Sequence, residues 1–203
     1  MMAKQWSGMV GLLALALTAC GGGSGGSTPG TVSGNAGGSS SVPVNSISVS
    51  GQAPSTEEQK ILDDVNAARA TAHDCGGAHF AATTALTWNA QLAAAARSHS
   101  DDMAHNGYRE ATAQEPEAPH IGADGSTPQQ RITATGYAWQ TSGENVAAGY
   151  TVGGSNDVVV AWLASPGHCS NIMNPKFREI GVGYVAYKGA KYNSFFTQDF
   201  GSK

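Results

Sequence analysis

No charged side chain stands between Lys4 and Glu57, and that gap decides where this 203-residue chain can fold. Residues 21–53 also hold ten of the 27 glycines, interleaved with serine and almost free of large apolar groups. Such a stretch cannot offset the entropy of ordering its backbone. Residues 20–54 are therefore expected to act as a flexible tether, with a reach on the order of 30 Å. Folding is left to residues 55–203. Every one of the fifteen Asp and Glu lies from Glu57 onward, against ten Lys and Arg, a formal charge of −5. A mildly acidic domain has no electrostatic footprint for nucleic acid, so that class of partner is excluded. About 147 residues can bury roughly 68–70% of their unfolded surface, enough to fold without a metal.

The first nineteen residues have the form of an export signal. Lys4 precedes an apolar run from Met9 to Ala19, too short for the roughly 20 residues that span a bilayer. Leu17-Thr18-Ala19-Cys20 resembles the lipobox of bacterial lipoproteins, which implies lipidation at Cys20. The alternative is an ordinary signal peptide with an incidental cysteine. The lipobox reading places the protein outside the cytoplasm, anchored to a bacterial membrane on its periplasmic or cell-surface side. It is expected to be a monomer. Two cysteines remain in the exported part, Cys75 and Cys169. An even number in an oxidising compartment suggests a disulfide, with two buried free thiols as the alternative.

Ser55 with Glu58 has capping-box spacing and opens a helix over about 56–72. Asn89 is a plausible cap for an Ala-rich helix ending at Asn106-Gly107. A polar loop over 108–126, a short helix at Pro128–Thr135 and a helix at Val158–Ala164 follow. The last begins at Asn156 or Asp157 and is stopped by Ser165-Pro166-Gly167. Ile180–Tyr187 and Ser194–Phe200 alternate like paired strands around Lys188-Gly189-Ala190-Lys191. Helices first and an antiparallel pair last make the class α+β, layered helix–sheet–helix.

Of the six histidines, His99 lies on the apolar face of the second helix and reads as a core residue. His73, His79 and His105 sit in or beside turns and read as solvated. His120 and His168 lie in Gly/Pro-rich loops, as does Glu144 within Ser142-Gly143-Glu144-Asn145-Val146-Ala147. Loops of that kind present single polar side chains on a rigid scaffold. Two neutral imidazoles and a carboxylate are a donor set for a divalent metal, Zn²⁺ by preference. The same region also offers Ser165 as a nucleophile, with a histidine as base and Glu144 orienting it.

Several gapped segments, in order, resemble the cysteine-rich secretory protein, antigen 5 and pathogenesis-related 1 superfamily in its bacterial single-domain form. They are Val65-Asn66-Ala67-Ala68-Arg69, His120-x-Gly-x-Asp-Gly-Ser126, Gly143-Glu144-Asn145-Val146-Ala147, and Trp162-x-x-Ser-Pro-Gly-His168. Asn171-Ile172-Met173-Asn174-Pro175, Phe177-Arg178-Glu179-Ile180-Gly181-Val182-Gly183 and Gln198-Asp199-Phe200-Gly201 extend the likeness. The resemblance implies an α–β–α sandwich with a central antiparallel sheet. It also implies a cleft lined by two His and two Glu, which in some members binds a divalent metal. His120, Glu144 and His168 match three of those four; the fourth, expected three residues after Trp162, is Ser165. Glu179 or Asp124 is the nearest substitute. The function this implies is a tethered binding module for a metal, a lipid-like ligand or a peptide. The alternatives are a hydrolase acting through the same cleft and a structural adhesion domain.

Overall fold

A computed structural model describes residues 52–203; the expected leader, Cys20 and the expected tether up to Gly51 lie outside the described residues. The first helix, α1 (Thr56–Arg69), opens on the expected reciprocal cap. The Glu58 amide donates to Ser55 Oγ (3.2 Å) and the Ser55 amide to Glu58 Oε2 (2.8 Å). It stops three residues earlier than its periodicity suggests, because the Thr71 amide and hydroxyl both turn back onto the Ala68 carbonyl. Its last residue, Arg69, is fully buried and donates to the carbonyls of Thr84 (2.8 Å), Ile172 (2.5 Å) and Asn174 (3.1 Å). Burial lowers its pKa to about 10, so the guanidinium stays charged and ties three segments together.

A short hairpin follows, β1 (His73–Cys75) and β2 (Ala78–Phe80), turning through Gly76 and Gly77 at φ 62° and 97°. Any side chain at Gly76 would overlap the ring of Pro166. That close approach sets Cys75 beside Cys169, and the two form a disulfide with Cα atoms 5.4 Å apart.

The main sheet has the order β3 (Thr87–Trp88), β5 (Glu179–Ala186), β6 (Ser194–Ser202), β4 (Thr141–Ala148). Its two long pairings are antiparallel; the two-residue β3 alone runs parallel to its neighbour. Helix α2 (Ala90–Asn106) lies across one face, capped by Asn89 Oδ1, which accepts from the amides of Gln91 and Leu92. It comes unusually close because β5 presents Gly181 and Gly183 there. A Cβ at either position would overlap the α2 backbone at Leu92–Ala93 or at Ala96. The opposite face is covered by α1, α4 (Val158–Ala164) and α5 (Pro166–Met173). Ile61, Val65, Trp162, Ile172 and Met173 pack there against Ile180, Val182, Phe196 and Phe200. The layering is α–β–α.

Two local readings are corrected. Residues 141–148, Glu144 among them, are the strand β4 and not a loop. Ser165-Pro166-Gly167 ends α4 but also starts α5: Ser165 is the junction and Pro166 occupies the first helical position, where its missing amide costs nothing. The expected 108–126 loop holds one 3₁₀ turn at Ala118–His120. The last tether residues are docked. Trp88 Nε1 donates to the Gln52 carbonyl (3.1 Å), and Arg97 donates to Gln52 Oε1 and the Ala53 carbonyl. No helix among the described residues is long and apolar enough to cross a membrane.

Candidate functional site

His120 is set in place by two residues that the sequence reading left out of the site. His99 of α2 is buried, and its Nε2 donates to the Pro119 carbonyl (2.9 Å), holding the 3₁₀ turn from below. Arg131, on α3 (Pro128–Ala134), donates to the His120 carbonyl (3.0 Å) and the Ser126 carbonyl (2.8 Å). The last two carbonyls of the turn are thus both held by buried side chains.

The carboxylate of Glu144 completes this arrangement. Oε1 accepts from His120 Nδ1 at 2.8 Å, and Oε2 accepts from Arg131 Nη2 at 2.8 Å; the Glu144 side chain is 2% exposed. Burial alone would push that carboxyl up. The His120 hydrogen bond and the Arg131 charge more than offset it, and Glu144 sits below the usual carboxylate range. Across the β4–β6 pair stands Asp199, fully buried. Burial first, and then the Glu144 charge, push its carboxyl well above the ordinary range. The two facing carboxyls are thus driven in opposite directions, one toward the charged form and the other toward the neutral one.

His168, near the start of α5, opens on the same cleft. The cleft encloses about 570 Å³ and is lined by His120, Ile121, Gln129, Glu144, His168 and Asn171, among others. Burial and the nearby His120 lower the His168 pKa, so its ring is neutral at pH 7. Asn171 braces the wall: its Nδ2 donates to the Glu144 carbonyl (3.1 Å) and to Asn145 Oδ1 (2.9 Å). His120, Glu144 and His168 thus come together although β4, α5 and a 3₁₀ turn supply them.

Other candidates lie elsewhere. Glu179 accepts from Asn89 Nδ2 (2.8 Å) and the Tyr137 hydroxyl (2.6 Å), and Asp124 caps its own turn through the Ser126 amide (2.8 Å). Neither takes the place of the missing carboxylate. Ser165 lines an adjoining hollow of about 350 Å³ that it shares with His168 but not with His120. Among the described residues no hydrogen bond joins Ser165 to either histidine. His79 is exposed beside Asp74 and His105 beside Asp101, at the surface as read from their turns.

The donor set for a metal is smaller than the sequence implied. Both Glu144 oxygens are engaged, and among the described residues no three His, Cys, Asp or Glu side chains are disposed to hold an ion. Two imidazoles remain, short of the three protein ligands of a hydrolytic zinc centre.

Residues 62–200 match the sequence profile of the cysteine-rich secretory protein family. The chain belongs to this family. Among curated relatives it is 35% identical over 109 residues to the uncharacterized protein YkwD of Bacillus subtilis, covering 54% of this chain and 36% of that one. It is 28% identical over 145 residues to the uncharacterized membrane protein YlbC of the same organism, covering 71% of this chain and 34% of that one. It spans about a third of the length of these relatives. Among solved structures it is similar to an extracellular protein containing an SCP domain from Bacillus anthracis. That likeness has TM-score 0.52 and 28% identity, and covers 75% of this chain and 45% of the other. An outer surface protein of Borrelia burgdorferi shares the fold, with TM-score 0.54 and 23% identity over 74% of this chain and 96% of that one. A bacterial extracellular protein thus carries a domain of this kind.

Proposed function

We propose that this is an extracytoplasmic binding module, tethered to a bacterial membrane through lipidated Cys20, which holds a peptide-like or lipid-like ligand in the His120–His168 cleft. One observation carries the reading. Glu144 is consumed by Arg131 and His120, so it acts as an orienting group, and the cleft presents two imidazoles with no activated nucleophile beside them. With Nδ1 of His120 bonded to Glu144, its Nε2 is left for a ligand. A resident metal centre is not part of this reading, because two imidazoles and water fall short of its donor set. The bacterial extracellular and surface relatives support the location. The test is a binding screen of peptides and fatty acids against the full-length protein and His120→Ala. Binding that disappears in the variant, without a change in melting temperature, supports the reading. Turnover of a peptide or ester substrate that His120→Ala abolishes would replace it with a hydrolase.

A further inference from the structure

β4 is the last strand of the sheet, so only one of its sides is paired. The Gly149 amide donates to the Ser194 carbonyl, and the register continues as Asn145 opposite Gln198 and Glu144 opposite Asp199. Along a strand, successive residues direct their N–H and C=O groups to opposite sides. Gly143, Asn145 and Ala147 therefore bond to β6, whereas Glu144, Val146 and Ala148 direct theirs outward. Two of the outward carbonyls are already taken: Asn171 Nδ2 donates to that of Glu144, and Trp162 Nε1 to that of Val146 (3.2 Å). None of the three outward amides donates to any partner among the described residues. Glu144 and Val146 are nevertheless 7% and 4% exposed. The Glu144 side chain is only 2% exposed, so what remains accessible there is mainly main chain, and an edge amide without an acceptor is free to take one from a ligand.

These amides open on the cleft. The larger hollow contains Glu144, and the adjoining one contains Val146 and Ala148; His168 lines both. Together they form one groove along β4. Near Glu144 its walls carry the imidazoles, and near Ala148 they carry Tyr108, Tyr150 and Tyr192. Alternate residues of a strand repeat about every 6.8 Å. A ligand matching this edge must supply carbonyl acceptors at that interval, which an extended polypeptide does and a fatty acyl chain does not.

We propose that the groove binds an extended peptide as an added strand on β4, its carbonyls accepting from the amides of Glu144, Val146 and Ala148 and one side chain entering the tyrosine-walled hollow. This rests on the binding-module reading and names its ligand class. Strand addition of this kind takes affinity from main-chain hydrogen bonds and selectivity from the pockets for alternate side chains.

The experiment is amide NMR of the uniformly ¹⁵N-labelled full-length protein. The probe is a pooled library of capped random hexapeptides; dodecanoate and cellotetraose are the comparators. The expected result is downfield movement of the Glu144, Val146 and Ala148 amide protons with peptide alone, and at least tenfold slower exchange of those amides. Ala148→Pro deletes one outward donor while leaving the β6 pairing intact, and it is expected to weaken peptide binding at least fivefold. If dodecanoate or cellotetraose shifts the His120 and His168 signals while the β4 amides stay still, the cleft binds ligands but the peptide assignment falls. If the peptides move none of these signals at millimolar concentration, the strand-addition proposal is overturned.

Discussion

The middle of the sheet and its β4 edge are held by different physics. In the middle, under α2, helix and strand meet backbone to backbone over Gly181 and Gly183, and the Ser100 hydroxyl donates to the Gly183 carbonyl (3.0 Å) and is hydrogen-bonded with the Thr197 hydroxyl (2.9 Å). At the β4 edge the contact relies on a disulfide, on Asn171 and on the buried Glu144–Arg131 pair. Close packing of small residues leaves no room between α2 and β5 at these glycines. Polar bracing leaves a groove. A site can exist at the edge because the covalent bond and the ion pair do there what interdigitation does in the middle.

The contrast breaks first at the disulfide. Cys75→Ser with Cys169→Ser opens a covalent span of 94 residues, and the chain-entropy argument puts the loss at about 4–5 kcal/mol. Urea denaturation of the oxidised protein against the double variant measures it. Next is Glu144→Gln, which leaves the Arg131 guanidinium buried without its counter-charge; about 3 kcal/mol is expected from the same titration. Retention of full stability would mean that Glu144 does not brace the cleft. Gly181→Ala sharpens the comparison from the other side. It forces α2 off the sheet at an expected cost of about 2–3 kcal/mol, and the cleft amides should stay unshifted in NMR spectra if the two sides are independent.

The smallest effect is the pH dependence. Burial lowers the pKa of both His99 and His168, so the folded state favours neutral rings. Their contribution is fully present above the unfolded value of about 6.5 and is lost as pH falls from there toward the depressed folded values. His99→Gln should flatten that acid slope more than His168→Asn, since His99 is only 1% exposed. Melting temperatures from pH 7.5 down to 5 compare them, and equal slopes would remove the distinction.

The helix starts were legible because their signals are local: Ser55 with Glu58, Asn89, and Asp157, whose Oδ1 accepts from the Val159 amide (2.8 Å). The last two strands showed in alternating apolar residues. β4 did not, because Thr141-Ser142-Gly143-Glu144-Asn145 has no apolar alternation; its polar residues are buried against partners as distant in sequence as Arg131 and Gln198. Arg131 and Asp199 were missed for the same reason, since nothing near either in sequence marks a buried charge. The metal expectation came from residue types and from the resemblance to the superfamily's His/Glu cleft. Sequence shows that Glu144 is a carboxylate but not that both of its oxygens are already used.

The disulfide has a mechanical consequence. Cys75 and Cys169 bracket the stretch that contains His120, Arg131, Glu144 and His168. A pull applied at the two ends of the chain passes through the sulfur–sulfur link and cannot lengthen the bracketed part. A single proteolytic cut inside that stretch leaves both fragments joined. The cleft residues His120, Glu144 and His168 therefore lie in a portion of the chain that neither end-to-end tension nor one cleavage can detach.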